Sequence, residues 1–113
     1  MITVHFDGCK NLKTLTIPES VIEIGEEAFD MCENLSTVKI SEGAKKIGDS
    51  AFETCQNLTT VTIPGSVERI GDCAFFDCAD LKQIIYQGTK EEWESIAGNF
   101  RHDLKNVEII FKG

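Results

Sequence analysis

The sequence repeats itself every 23 residues, and this period constrains the fold more than any other feature. Leucine returns at this spacing at Leu12, Leu35, Leu58, Leu81 and Leu104. Phenylalanine and cysteine keep the same step, at Phe6, Phe29, Phe52, Phe75, Cys9, Cys32, Cys55 and Cys78. A unit of this length cannot bury its own apolar side, so copies must stack on one another, and the period predicts a solenoid.

The repeats organise the chain as one solenoid domain over 1–113. We divide it into a partial repeat (1–11), three full repeats (12–34, 35–57 and 58–80) and C-terminal capping repeats (81–113). The partial repeat lacks its opening strand, which indicates either a reduced cap at 1–4 or a chain cut from a longer protein, and we favour the cut. Without a cap, strand 12–17 would offer its edge for edge-to-edge self-association.

Each full repeat carries a strand signal followed by a turn signal. Leu58, Val61 and Ile63 show the Leu-x-x-Val-x-Ile pattern, whose period-two end predicts a parallel strand with one buried face. Phe52 and Cys55 lie three residues apart in Ala-Phe-x-x-Cys, which suits one short helical turn with one face inward. Between these signals we expect tight turns with positive φ at the recurring glycines, Gly25, Gly48 and Gly71.

The consensus of the repeats is Leu-x-x-Val-x-Ile-Pro-x-Ser-Val-x-x-Ile-Gly-x-x-Ala-Phe-x-x-Cys-x-Asn. It is nearly complete in 12–34 and 58–80, whereas 35–57 departs from it at Ser41, Gly43 and Ala44. This pattern resembles the BspA-like (Treponema-type) leucine-rich repeats of bacterial surface proteins. The resemblance implies a curved solenoid with a parallel β-sheet on its concave face and short helical turns and loops elsewhere. It also implies a role in adhesion or protein binding, at the cell surface or outside the cell.

The C-terminal unit is atypical and contains a short helix. Thr89 and Glu92 form a Thr-x-x-Glu capping box at its start, and Gly98 is expected to end it. Trp93 falls at the repeat position of Ile70, so its indole is expected to close the core. The strand pattern then returns at Leu104, Val107 and Ile109.

Cysteines and histidines are the main candidates for chemistry, and a structural role explains each of them better. The column of four cysteines predicts buried free thiols, because parallel stacking keeps their Cβ atoms about 5 Å apart, above the usual disulfide range. A disulfide involving Cys73 and a zinc site are weaker alternatives, since no Cys-x-x-Cys pair occurs. His5 substitutes for alanine near Cys9, and His102 beside Asp103 is expected to be a solvated loop pair. We therefore predict no catalytic residue, metal or cofactor.

A second column precedes each leucine and has a structural interpretation as well. A carboxamide at a stacked bend can bridge backbone groups of neighbouring turns that would otherwise stay unpaired. Its members are Asn11, Asn34, Asn57, Asp80 and Asp103.

Net charge and the length of the apolar runs argue against two further classes of function. The chain has 11 Lys and Arg against 19 Asp and Glu, a net charge of −8, and no basic stripe that could bind nucleic acid. No apolar run approaches the length needed to span a membrane.

The remaining candidates are the outward positions of the strands. They form two rows: Thr14, Thr37, Thr60, Gln83 and Asn106 in one, and Thr16, Lys39, Thr62, Ile85 and Glu108 in the other. Small polar side chains on a sheet make either a recognition face or an ordinary solvated surface. The first option predicts a non-enzymatic protein- or glycan-binding module of a surface or secreted bacterial protein. The alternative is a purely structural spacer without a partner of its own.

Overall fold

The computed structural model describes the backbone of Thr3–Val4 and the whole of residues 11–113, and these residues wind into a parallel-strand solenoid. The predicted leucine-rich repeat solenoid is confirmed. Each complete turn of the solenoid is called a coil below. The elements in this part of the chain are β1 (Thr3–Val4), β2 (Thr14–Ile17), β3 (Glu23–Ile24), β4 (Thr37–Ile40), β5 (Lys46–Ile47), β6 (Thr60–Pro64), β7 (Arg69–Ile70), β8 (Gln83–Gln87), α1 (Lys90–Glu94), a 3-10 helix (Arg101–Leu104) and β9 (Glu108–Phe111).

Two parallel sheets run along the solenoid. The five-stranded sheet has the order β2-β4-β6-β8-β9, and the four-stranded sheet has the order β1-β3-β5-β7. Between the full repeats the register equals the sequence period, so that Thr14 pairs with Thr37 and Thr37 pairs with Thr60. Each residue therefore lies beside its own counterpart in the next coil, which stacks identical side chains into columns.

The core fills the space between the sheets with such columns. Phe52 is completely buried between Phe29 and Phe75, with ring centroids 5.4 and 5.8 Å apart and ring planes within 10° of parallel. This confirms the predicted stack for these three residues. Inward residues of the strands, such as Val38 and Val61, are also fully buried. Phe6, His5 and Cys9 lie outside the described residues.

The segments after β3, β5 and β7 are series of β-turns, so the predicted helical turn at Phe52 and Cys55 is wrong. Ala51 N–H donates to Gly48 O, and Cys55 N–H donates to Phe52 O, which are hydrogen bonds over three residues. Alternate N–H groups instead donate to the following coil, as Phe52 N–H does to Ala74 O at 2.8 Å. The segment cannot continue as a helix because half of its donors serve the next coil.

Glycine recurs at positions 25, 48 and 71 for a different reason from the one predicted. Positive φ occurs two residues later, at Glu27, Ser50 and Cys73, and not at the glycines themselves. A Cβ on Gly71 would instead lie 2.5 Å from the backbone nitrogen of Asp49, and one on Gly48 would lie 2.8 Å from that of Glu26. Glycine is needed because adjacent coils approach each other too closely for a side chain.

Helix α1 begins as predicted and ends earlier. Thr89 accepts a hydrogen bond from Glu92 N–H, and a Glu92 carboxylate oxygen accepts one from Thr89 N–H at 2.8 Å, which confirms the capping box. The helix ends before Ser95, so Gly98 does not terminate it. At Gly98 a Cβ would overlap the Ile70 carbonyl oxygen, at 1.8 Å.

Trp93 closes the core as predicted. Its ring lies 5.1 Å from that of Tyr86 and 5.5 Å from that of Phe100, both at steep angles. Its expected position beside Ile70 is wrong, because the partner of β7 at this end is Ala97, which bridges to Arg69 and accepts a hydrogen bond from Ile70 N–H. The indole therefore covers the end of the core from α1 and not from a rung of the four-stranded sheet.

The last strand leaves the 23-residue register. Gln83 pairs with Glu108 and Ile85 pairs with Ile110, an offset of 25 residues (108 − 83). The two added residues keep the alternation of faces, so Ile109 stays on the inward face but lies beside the fully buried Ile84, where the 23-residue period predicts Val107.

Candidate binding face on the five-stranded sheet

The outward side chains of the five-stranded sheet form a surface called the strand face below. Parallel pairing in register aligns them in two rows, with strands about 4.8 Å apart, so five strands span roughly 20 Å. Nine of the ten predicted residues lie in these rows, eight of them in the predicted row and Glu108 in the other row. The first row is Thr14, Thr37, Thr60, Gln83 and Glu108, and the second is Thr16, Lys39, Thr62, Ile85 and Ile110.

The two-residue shift of β9 corrects the last members of both rows. The sequence period predicts Asn106 beside Gln83, but Asn106 precedes β9 and lies outside the sheet. Glu108 moves from the second row to the first, and Ile110, which the sequence analysis missed, takes the place beside Ile85. Strict 23-residue counting could not find Ile110. The alternation of inward and outward residues in β9 does not reveal the shift either, because a two-residue shift keeps each side chain on the same face of the sheet.

The strand face is polar, mostly uncharged and only partly solvated at its centre. Thr14, Thr16 and Thr37 are exposed, whereas Thr60 and Thr62 in the middle of the sheet are half-buried. Among the described residues, the hydroxyls of these five threonines make no hydrogen bond within the chain. Lys39 and Glu108 carry the charges of the rows. The arrangement offers donors and acceptors on a rigid backbone and no group suited to covalent chemistry.

The four-stranded sheet has a different outer surface. Its outward row is Glu23, Lys46 and Arg69, and the Lys46 ammonium lies 3.8 Å from the Glu23 carboxylate. A second pair, Lys45 and Glu68, lies next to it at 3.9 Å. Four of these charges therefore lie in ion pairs, whereas Arg69 has no ion-pair partner among the described residues.

The cysteine column is confirmed as part of the core for Cys32 and Cys55, which are completely buried. Cys55 Sγ donates a hydrogen bond to Phe29 O and Cys78 Sγ donates one to Phe52 O, both at 3.1 Å. The four described cysteines are free thiols. Burial raises the pKa of the Cys78 thiol to about 12, so this thiol is protonated and unreactive at neutral pH.

Cys73 differs from the column because it is partly exposed and holds positive φ. Desolvation and the nearby carboxylate of Asp103 raise the pKa of its thiol. A raised pKa lowers the fraction of thiolate, so the surroundings of Cys73 do not activate its thiol as a nucleophile.

A bend at the C-terminal end contains a cleft of about 300 Å³ between the last two coils. His102, Asp103 and Lys105 line one side, and Phe75 and Cys78 line the other. The His102 ring nitrogen Nε2 lies 3.3 Å from Asp103 Oδ1. His102 is exposed, but the Asp103 side chain is only 5% exposed, so the prediction of a solvated pair is wrong for Asp103.

The predicted asparagine column is confirmed at Asn57, whose side-chain amide donates to Glu33 O at 2.7 Å across the coils. Asp80 is exposed at the equivalent bend. Asp103 is not in this column, because the C-terminal register has shifted.

Two searches of the described residues bear on function. No helix in this part of the chain is long and apolar enough to cross a membrane. Within 11–113, no group of three or more His, Cys, Asp or Glu side chains converges on a common point that could hold a metal ion.

The solenoid is similar to solved structures of repeat proteins. A T. pallidum leucine-rich repeat protein matches with a TM-score of 0.66 and 22% identity, over 97% of this chain and 55% of that protein. A leucine-rich cell surface protein from Faecalibacterium prausnitzii A2-165 matches with a TM-score of 0.39 and 23% identity, over 79% of this chain and 36% of the other. The chain thus spans about half the length of the T. pallidum protein. No curated protein matches it.

The family described as BspA type leucine-rich repeat region (6 copies) matches residues 3–110. This range includes all the strands of both sheets except the last residue of β9. The chain therefore belongs to the BspA-type leucine-rich repeat family.

Proposed function

We propose that the chain is a non-enzymatic binding module that holds a protein partner on the strand face. Membership of a repeat family built for interaction surfaces supports this proposal. The observation that carries it is the contrast between the two sheets. Two of the three outward charges of the four-stranded sheet form an ion pair, whereas the strand face presents rows of threonine hydroxyls that make no hydrogen bond within the described chain.

The chemistry of the strand face favours a protein over a polysaccharide. Neither row contains an aromatic side chain on which a sugar ring could stack. The rows do contain β-branched methyl groups, Ile85 and Ile110, beside hydroxyl and amide groups, which is the mixed surface of a protein interface. We further propose that the module acts on the surface of a bacterium or outside it, and membership of the family supports this location.

A pair of substitutions at the centre of the strand face tests the proposal. Thr60→Lys with Thr62→Lys adds two long charged side chains where binding energy tends to concentrate. The matched control is Ser20→Lys with Asn99→Lys, which adds the same groups at exposed positions outside both sheets. Each pair is compared with the parent chain for binding to a panel of immobilised host proteins and polysaccharides, and circular dichroism checks the fold.

The expected result is one or more protein partners whose binding is lost with the strand-face pair and kept with the control pair. Equal losses from both pairs would contradict the assignment of the face. Binding to polysaccharides alone would replace the protein partner by a glycan, and no binding at all would favour a structural spacer.

A further inference from the structure

The two-residue shift at the C-terminus changes which residue follows Cys78 in the cysteine column. Asp103 N–H donates to Phe100 O, as Cys78 N–H donates to Phe75 O one coil earlier. Glu108 N–H donates to Lys82 O, as Gln83 N–H donates to Thr59 O. The offset of 25 residues that pairs Gln83 with Glu108 therefore also relates Cys78 to Asp103.

Members of this column donate a side-chain hydrogen bond to the coil before them. Cys55 donates to the Phe29 carbonyl and Cys78 donates to the Phe52 carbonyl. The next acceptor in the series is the carbonyl of Phe75, which lines the same cleft as Asp103. An ionised carboxylate can only accept hydrogen bonds, whereas a protonated one has an O–H to donate.

Burial makes an ionised Asp103 unfavourable at this place. Its Oδ2 atom is buried, and it accepts no hydrogen bond from the described residues. Its Oδ1 atom faces His102 Nε2 at 3.3 Å. A charge taken out of water with one oxygen unpartnered is costly, and a proton on Oδ2 removes both the charge and the missing hydrogen bond.

We propose that at acidic pH the folded chain carries a proton on Asp103 Oδ2, and that this O–H donates a hydrogen bond to the Phe75 carbonyl, so that the last coil is held by a hydrogen bond that ionisation breaks. His102 then donates its Nε2–H to Oδ1. The carboxylic acid thus extends the column by one further donor, where the repeats before it use a thiol.

The charged neighbours of Asp103 come from three segments. Its own segment supplies His102 and Lys105, while Arg101 is turned to the carbonyls of Trp93 and Ile96. The preceding turn supplies Cys73, Asp77 and Cys78, and the coil before that supplies Glu53.

Desolvation raises the pKa of Asp103 above 3.8, a positively charged His102 lowers it, and Glu53 raises it. A folded-state pKa above the unfolded value means that the folded chain binds the proton more tightly. This stabilisation is fully present below the unfolded pKa and is lost as pH rises through the raised pKa.

The variant Asp103→Asn tests this hydrogen bond, because its amide can donate at every pH. Urea midpoints are measured from about pH 4 to about pH 8 for the parent chain and the variant. We expect the midpoint of the parent chain to fall relative to that of Asp103→Asn as pH rises. The control Asp80→Asn changes an exposed carboxylate one coil earlier, and its difference from the parent should stay constant.

Two further measurements separate Asp103 from its neighbours. The ¹³C shift of the Asp103 carboxyl in the parent chain should titrate with a midpoint above 3.8. His102→Gln removes the charged neighbour of Asp103, and adding Asp103→Asn to that variant should still produce a pH-dependent difference of the same sign. A carboxyl midpoint at or below 3.8, or a pH-independent difference between the parent and Asp103→Asn, overturns the proposal.

Discussion

At the scale of single residues, the turns that lead from the four-stranded sheet to the five-stranded sheet hold non-glycine residues in left-handed backbone conformations. These positive φ angles recur at two places in each full repeat, at Glu27, Met31, Ser50, Thr54, Cys73 and Asp77. The hydrogen bonds between coils fix them: Ser50 N–H donates to Asp72 O, and Thr54 N–H donates to Phe76 O. The stacking of coils thus maintains conformations that the residues themselves disfavour.

Thr54 offers a test of this strain, because a β-branched residue is the least suited to its φ of 61°. We expect Thr54→Gly to raise the free energy of unfolding by about 1 kcal/mol, measured by urea denaturation. Thr60→Gly is the matched control within the central strand β6, where glycine should destabilise instead. Destabilisation by Thr54→Gly would mean that the hydrogen bonds of the turn relieve the strain already.

Phe52 tests the stacked core. Phe52→Ala should lower the free energy of unfolding by about 3–5 kcal/mol, because it leaves a cavity between two parallel rings in a completely buried column. Phe76→Ala is the control, since that ring is 49% exposed and its loss should have a small effect. An unchanged urea midpoint for Phe52→Ala would contradict the role of the column.

The thiols should differ in reactivity according to their surroundings. Among the described cysteines, we expect iodoacetamide at about pH 8 to label Cys73 first, since it is partly exposed and lies outside the column. Its labelling should still be slower than that of an ordinary thiol, because its pKa is raised. Cys32, Cys55 and Cys78 should react only when the chain unfolds. Mass spectrometry of native and urea-treated protein measures the order. Early labelling of Cys78 would contradict its protected hydrogen bond to Phe52 O.

The sequence predicts these residues unequally, for physical reasons. A column such as Phe29, Phe52 and Phe75 follows directly from the period, because parallel register places equivalents beside one another. Left-handed φ at Thr54 or Ser50 has no signature in residue type, since the coil-to-coil hydrogen bonds impose it. The role predicted for Gly71 is wrong for the same reason: the cause lies in the neighbouring coil, at Asp49.

At the scale of elements, α1 is short and depends on its cap. Its five residues make few internal hydrogen bonds, so the reciprocal pair of Thr89 and Glu92 contributes much of its stability. The helix positions Trp93 over the open end of the core, between Tyr86 and Phe100.

Thr89→Ala should therefore lower the free energy of unfolding by about 1 kcal/mol. Lys90→Ala, one residue further on at an exposed position, is the control and should have little effect. Urea denaturation followed by tryptophan fluorescence reports on both, because Trp93 is the only tryptophan of the chain. Equal stability of the two variants would show that packing of Trp93 alone holds the helix.

The C-terminal elements show where the 23-residue period no longer predicts the pairing of strands. The capping box of α1 is a local pattern, and its prediction is confirmed. The pairing of β9 depends on how the chain between Tyr86 and Phe100 folds, which adds two residues to the coil. Because β-strands alternate with period two, this shift keeps Ile109 on the inward face of the sheet. It changes which residues lie on the strand face and at the bend that contains Asp103.

At the scale of the whole molecule, the five-stranded sheet ends at β2, and no strand in the described part of the chain pairs with its outer side. Lys13 O and Ile17 O accept hydrogen bonds from the next coil, so the backbone groups of Thr14 and Thr16 point away from the sheet. These groups can pair with a second copy, as expected for self-association through 12–17.

We expect weak dimers, whose fraction in sedimentation velocity rises with protein concentration. Added salt should favour them, because the net charge of −8 makes two copies repel each other. Thr16→Pro removes an outward N–H and should reduce association without unfolding the chain. Thr14→Val, which keeps the backbone donor, is the control. A chain that stays monomeric at all concentrations and salt levels would contradict pairing through this edge.

The in-register stacking of the coils also bears on how such a chain can change in length. Each coil presents to the next the same carbonyls and N–H groups that it receives from the one before, as the equivalent bonds from Ser36 to Lys13 O and from Thr59 to Ser36 O show. Gene duplication or loss of one 23-residue unit therefore leaves the recurring backbone hydrogen bonds between coils satisfied. An insertion of another length must be absorbed at an end, as the two additional residues before β9 are, so the array can vary in number more easily than in period.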